Sequence, residues 1–348
     1  MNLFISENGK LFFVLLFLFF SGCGSTLPSK LNQHISTASP EAVIEVPSTT
    51  IVSTLPQDEK PHEVSIPSLI DKKHNGSDLK LVRVLAENNV YTRHYITYKS
   101  GDLTISGIMN IPKGEGPFPI LILNHGYIDT SIYTNGRGLK REQDYFARHG
   151  FAVLHPDYRN HAESSKDTRD ELAVRLSYGE DVINAVYALK NSDLKIIDKE
   201  RIGMIGHSMG GGITLSTLVI QPDLVDASVL YAPVSGDMRK SYERWMSRRP
   251  EAAESIAMLY GTPTSSPKFW DEVSSETFYD RIKAPIAIFH GTADDSVPLE
   301  WSEQTKKLLE KKGKKVSLTI YPGAPHEFVK DWQNFMDASR IFFEQNLK

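Results

Sequence analysis

Gly206, Ser208 and Gly210 stand in the stretch Arg201-Ile202-Gly203-Met204-Ile205-Gly206-His207-Ser208-Met209-Gly210-Gly211-Gly212, where the sequence concentrates its chemistry. A short apolar strand leads in, and a helix through Ile213, Leu215, Leu218 and Val219 leads out. In that context G-x-S-x-G is a sharp strand-to-helix turn that presents a nucleophilic hydroxyl. Glycines flank the serine because only they let strand and helix pass so closely. The helix N-terminus then offers unpaired N–H groups and a positive dipole end to a developing oxyanion. Alone, the pattern arises by chance in about one chain in ten of this length. A phosphate cradle would need G-x-G-x-x-G or G-x-x-x-x-G-K-[ST], and the sequence contains neither.

Its partners therefore decide the reading. A serine hydroxyl is a poor nucleophile until an imidazole accepts its proton, and the imidazole needs a carboxylate to hold its tautomer and charge. Two loops supply both groups. His290-Gly291-Thr292-Ala293-Asp294-Asp295-Ser296-Val297 follows the apolar run Ile286–Phe289, and Pro322-Gly323-Ala324-Pro325-His326 follows Val316–Tyr321. Ser208, then Asp294 or Asp295, then His326 is the chain order of one known arrangement of such a triad. No H-E-x-x-H and no cysteine cluster occur, so neither a metal nor another cofactor is expected.

Positioning three distant loops requires a sheet. Leu81–Ala86, Val90–Tyr98 and Leu103–Ile111 are rich in β-branched and aromatic residues and are broken by Asn88-Asn89 and Gly101-Asp102, which predicts an antiparallel lead-in. Ile120–Leu123, Phe151–Leu154, Ser228–Tyr231, Ile286–Phe289 and Val316–Tyr321 are short apolar runs, as strands buried on both faces require. Helices are expected over Leu139–Arg148 and Tyr178–Lys190, with a closing helix through Trp332, Phe335, Met336, Phe342 and Phe343. The alternation argues for an α/β fold with a mainly parallel central sheet and helices on both faces. Residues 232–284 lack a strand pattern and should form a small helical cap beside the elbow.

The 348 residues carry a net charge of −4 with basic residues scattered along the chain, so no nucleic-acid partner is expected. The single cysteine, Cys23, follows the apolar run Leu11–Phe20, which has the length of a signal-peptide core. This resembles a bacterial lipoprotein signal over residues 1–22. It implies acylation of Cys23, export across the inner membrane and a lipid anchor in the cell envelope. Residues 23–78 are rich in Ser, Thr and Pro and are expected to be a disordered tether ahead of a catalytic domain at 79–348.

From about Leu81 onward the sequence resembles the α/β-hydrolase catalytic domain of the prolyl oligopeptidase family and its esterase-like relatives. The matching residues are Asn124-His125-Gly126-Tyr127, Asp157-Tyr158-Arg159, Gly206–Gly210, His290-Gly291-x-x-Asp294-x-x-Val297 and Gly323-x-x-His326. The resemblance implies Ser208 as nucleophile, Asp294 as orienting acid and His326 as base, with backbone N–H groups of Met209 and Tyr127 as the oxyanion hole. A small-molecule ester or a short peptide is the implied substrate, and no feature sets an oligomeric state. His125, His207 and His290 are read as structural or orienting, and Asp157 with Arg159 as a buried loop pair. Arg137, Arg141, Tyr133 and Arg159 could bind a substrate carboxylate, but are read first as solvated or structural. Relatives often carry glycine where Asn160 and Ala162 stand, so that loop is expected to differ. The competing expectation is a non-catalytic cell-envelope binding lipoprotein that retains the fold.

Overall fold

Residues 77–112 build three antiparallel strands, β1 (Ser77–Glu87), β2 (Tyr91–Ser100) and β3 (Leu103–Pro112), in the computed structural model, which describes residues 60–168 and 174–347. Asn88 turns the first hairpin by accepting from the N–H groups of Val90 and Tyr91 at 2.8 and 2.9 Å, an Asx turn. Six parallel strands complete the sheet: β4 (Phe118–Asn124), β5 (Ala152–Pro156), β6 (Ile197–His207), β7 (Ala227–Tyr231), β8 (Ile286–Gly291) and β9 (Val316–Tyr321). The strand order is β1-β2-β3-β5-β4-β6-β7-β8-β9. This is the mostly parallel sheet the sequence predicts.

The continuous apolar runs have a simple cause. Ile120 and Ile122 of β4 enter one core, while Leu121 and Leu123 enter another on the opposite face. The first core is closed by helices α1 (Ile66–Asp71), α3 (Leu176–Lys190), α4 (Met209–Ile220) and α8 (Leu299–Lys311), and the second by α2 (Lys140–Arg148) and α9 (Trp332–Asn346). On α9, Phe335, Met336 and Phe343 are wholly buried, each worth about 1.5–3 kcal/mol of transfer free energy.

One boundary needs correction. The expected signal peptide over 1–22, Cys23 and the expected tether as far as 59 lie outside the described residues, but that tether is expected to reach 78 and the ordered domain begins before that. Ser65 caps α1 by accepting from Ser68 N–H, Ile66 and Leu69 are buried, and His74 Nε2 donates to Leu69 O at 2.9 Å. A six-residue helix is too short to display a period, and its burial exists only against the rest of the domain.

The cap, 232–284, contains no strand. It holds α5 (Met238–Arg244), a 3₁₀ turn Met246–Arg248, α6 (Pro250–Tyr260), α7 (Pro267–Glu272) and a 3₁₀ stretch Ser275–Arg281. Trp270 is its core: it is wholly buried, and its indole N–H donates to Gly261 O at 3.2 Å. Arg244 pins the cap to the loop after β8, with Nε and Nη2 each 3.0 Å from the carbonyls of Ser296 and Asp295.

Candidate active site

The chain leaves β4 for β5 on one side and returns as β6 on the other, so the strand order reverses between the neighbours β4 and β6. Open α/β sheets place ligands at the carboxyl ends of strands flanking such a point. The elbow sits there. Ser208 follows β6 directly and stands at the N-cap position of α4 with φ 56° and ψ −120°, a strained conformation for a residue with a side chain. A Cβ on Gly206 would lie 2.2 Å from Gly210 O, and one on Gly210 would lie 2.0 Å from Asn124 O. Both flanking positions therefore exclude any larger residue.

His326 and Asp294 meet beside the elbow. His326 Nδ1 donates to Asp294 Oδ2 at 2.6 Å, and the Asp294 side chain is wholly buried. Its other oxygen accepts from the N–H groups of Ser296 and Val297 at 2.9 and 2.8 Å. Burial alone would raise this carboxyl. Hydrogen bonds from His290, His326 and the Val297 N–H outweigh it and hold the group well below the usual carboxylate range. Asp295 is exposed, and among the described residues its side chain accepts only from the neighbouring Ser296 hydroxyl, at 3.1 Å.

His290 is a second imidazole on the same oxygen. Its Nε2 lies 3.1 Å from Asp294 Oδ2 and 3.0 Å from Val297 O, and its Nδ1 lies 2.7 Å from Ser302 Oγ. Both partners of Nε2 are acceptors, so Nε2 carries the proton and Nδ1 accepts from the serine hydroxyl. His207 supports the other side, its ring 4.6 Å from that of His326 and its Nε2 3.3 Å from His326 O. Burial, with the His326 ring beside it, pushes the His207 imidazole down to about 3.

Ser208, His326, Met209 and Tyr127 line one cavity of about 590 Å³. Among the described residues no hydrogen bond joins Ser208 Oγ to the imidazole, as is common for a nucleophile and base before a ligand tightens the site. Neither Met209 N–H nor Tyr127 N–H has a protein acceptor among the described residues. The Tyr127 loop is held from beneath. His125 is buried, stacks on Tyr158 at 4.2 Å and places Nδ1 2.7 Å from Gly126 O.

Asp157 and Arg159 are both buried, but they do not form the expected pair. Asp157 accepts from Ser106 Oγ, Tyr133 Oη, Asn135 Nδ2 and Gly136 N–H at 2.6–2.8 Å, while Arg159 donates to Asp181 at 2.8–3.0 Å. Two loop ends each needed an internal partner, and each found one on a different element. Asn160 and Ala162 take φ of 68° and 43°, so the loop keeps a glycine-like course where the sequence predicts a different one. Asn160 ties it down, accepting from Asp167 N–H at 2.7 Å and donating to Asp167 O at 2.9 Å.

The four residues weighed for a substrate carboxylate are engaged elsewhere, in keeping with their structural reading. Tyr133 and Arg159 are committed as above, Arg137 donates to Ile132 O, and Arg141 covers the Trp332 ring at 4.9 Å. None of the four lines the cavity; Arg175, Arg244, Arg248 and Arg249 do, with Trp245 and Met246 of the cap. The run Arg248-Arg249 was the only sequence signal for them, and a doublet of basic residues reads equally well as solvated surface.

A model of the prolyl oligopeptidase family matches residues 138–348. The chain is 26% identical over 319 residues to the uncharacterized peptidase YuxL of Bacillus subtilis, covering 85% of this chain and 45% of that protein. It is 27% identical over 264 residues to dipeptidyl aminopeptidase BIII of Pseudoxanthomonas mexicana, covering 73% of this chain and 36% of that one. The chain thus spans less than half the length of these two relatives. In fold it is similar to acetyl xylan esterase from Paenibacillus sp. R4, with a TM-score of 0.63, 20% identity, and coverage of 81% and 92% of the two chains.

Proposed function

The chain belongs to the prolyl oligopeptidase family, and we propose that it is a serine hydrolase that cleaves an ester or short-peptide bond through Ser208, His326 and Asp294. The observation that carries this reading is the 2.6 Å contact from His326 Nδ1 to the buried Asp294 carboxylate, in the wall of the cavity that Ser208 faces. With Nδ1–H committed to Asp294, Nε2 of His326 is left as the basic lone pair. Ser208 Oγ attacks the acyl carbonyl carbon as Nε2 takes its proton. The N–H groups of Met209 and Tyr127 hold the oxyanion. Collapse expels the alcohol or amine, which receives that proton, and leaves an acyl-serine. Water then attacks the acyl-serine by the same route, releasing the acid and restoring the hydroxyl.

Ester and peptide cleavage share this machinery, and the chain resembles both peptidases and an esterase. A binding protein that merely keeps the fold gains no support from these relatives. A fluorophosphonate probe tests the reading. Wild type should be labelled and Ser208→Ala should not; an unlabelled wild type, or labelling that survives the substitution, would overturn it.

A further inference from the structure

Resting on the acyl-hydrolase reading of Ser208, we infer that the cap end of the cavity is a carboxylate subsite. The substrate then carries a fixed negative charge at a distance from the scissile carbonyl. Arg249 and Arg175 approach one aromatic ring from different parts of the fold. Their guanidinium carbons lie 5.5 and 5.0 Å from the Tyr127 ring centre, and Arg249 Nη2 donates to Tyr127 Oη at 3.2 Å. Arg248 joins them in the cavity wall. None of the three is ion-paired among the described residues, whereas Arg244 is committed to two backbone carbonyls.

Four guanidinium groups and two carboxylates, Asp295 and Glu327, line the cavity, so its charge is positive. Asp129 is a further carboxylate within the field of Arg249, and it is already occupied by Ser131 Oγ and N–H. The Tyr127 ring, and for Arg175 the Met209 sulfur at 3.4 Å, hold Arg175 and Arg249 in place, but neither neutralises their charge. Arg249 and Arg175 sit at the N-caps of α6 and α3 without capping through their side chains, and a cation at that end of a helix opposes the dipole. Guanidinium forks held against an aromatic face, free of carboxylates and beside a nucleophile, suit a carboxylate that arrives with the substrate.

Two substrate pairs test the charge on either side of the scissile bond. One compares p-nitrophenyl hemisuccinate with p-nitrophenyl butyrate; the other compares the butyrate esters of 4-hydroxybenzoate and 4-hydroxybenzamide. In at least one pair the charged member should have a kcat/KM higher by roughly ten- to a hundredfold, the weight of one charge-assisted hydrogen bond. The advantage should sit mainly in KM, shrink as salt rises, and collapse toward unity in Arg248→Gln and Arg249→Gln. Neutral members that react as well in both pairs, or a preference that survives both substitutions, would overturn the subsite. Fluorophosphonate labelling of each variant reports that its fold survives. A wild type that is not labelled sinks the parent reading, and a labelled enzyme without charge preference sinks only the subsite.

Discussion

Asp294 holds two imidazoles on one carboxylate oxygen, and this divides their work. His290 is enclosed by acceptors and by Ser302, so it is fixed; His326 faces the cavity, and its Nε2 has no partner among the described residues. If His326 is the base, its tautomer depends on Asp294 as acceptor. Asp294→Asn should present an amide N–H to Nδ1, reverse the tautomer and lower kcat by about ten-thousandfold. Combining it with Ser208→Ala should cost no more than Ser208→Ala alone, because the groups act as a unit. Stopped-assay kinetics on p-nitrophenyl butyrate check both, and an Asp294→Asn enzyme within tenfold of wild type would mean another group orients the base.

At the scale of elements, the elbow depends on how closely α4 passes the end of β4. The Gly210 position touches Asn124 O, which is backbone and cannot swing aside as a side chain would. Gly210→Ala should therefore cost at least about 2 kcal/mol of stability, the price of overpacking a close backbone crossing. Urea denaturation measures this, and a midpoint unchanged from wild type would show that α4 can move. The cap is attached differently, by Arg244 on two carbonyls and by the Trp245–Trp301 contact at 5.5 Å. Its grip falls on the loop that carries Asp294, so the positions of the cap and of Asp294 are mechanically linked.

The whole molecule should be acid-labile, and the sign follows from its buried imidazoles. Burial lowers His74, His125, His155 and His207 from their ordinary 6.5, with His125 and His207 down to about 3. The unfolded chain therefore takes up these protons first. Their stabilising contribution is complete above about 6.5 and declines as pH falls toward about 3, by at most about 1.4 kcal/mol per pH unit for each histidine. Asp294 acts in the same direction at lower pH, since its depressed carboxyl stabilises above the ordinary carboxylate range and stops doing so as pH drops through its folded value. Glu142, Asp157 and Asp181, raised by burial, act the other way and add stability as pH falls. The four imidazoles outnumber them, so stability from urea titrations should fall from pH 7 to pH 5, and a profile that rises over that interval would contradict the burial of these rings.

The elements with local signals were legible in the residues alone. Alternating apolar runs, Asn88-Asn89 at a turn and glycines about Ser208 act within a few residues, so spacing reports them directly. β9 spans the predicted Val316–Tyr321, and β4 extends the predicted Ile120–Leu123 by two residues before it and one after. Helix α1 escaped because six residues hold no period and its burial comes from distant partners. Contacts between remote loops were decided only by the tertiary structure. Which of Asp294 and Asp295 meets His326, why Asp157 and Arg159 part company, and which arginines face the cavity all depend on groups far apart in the chain. Local spacing encodes the direction a side chain takes from its own strand or helix; it carries no record of what waits across the fold.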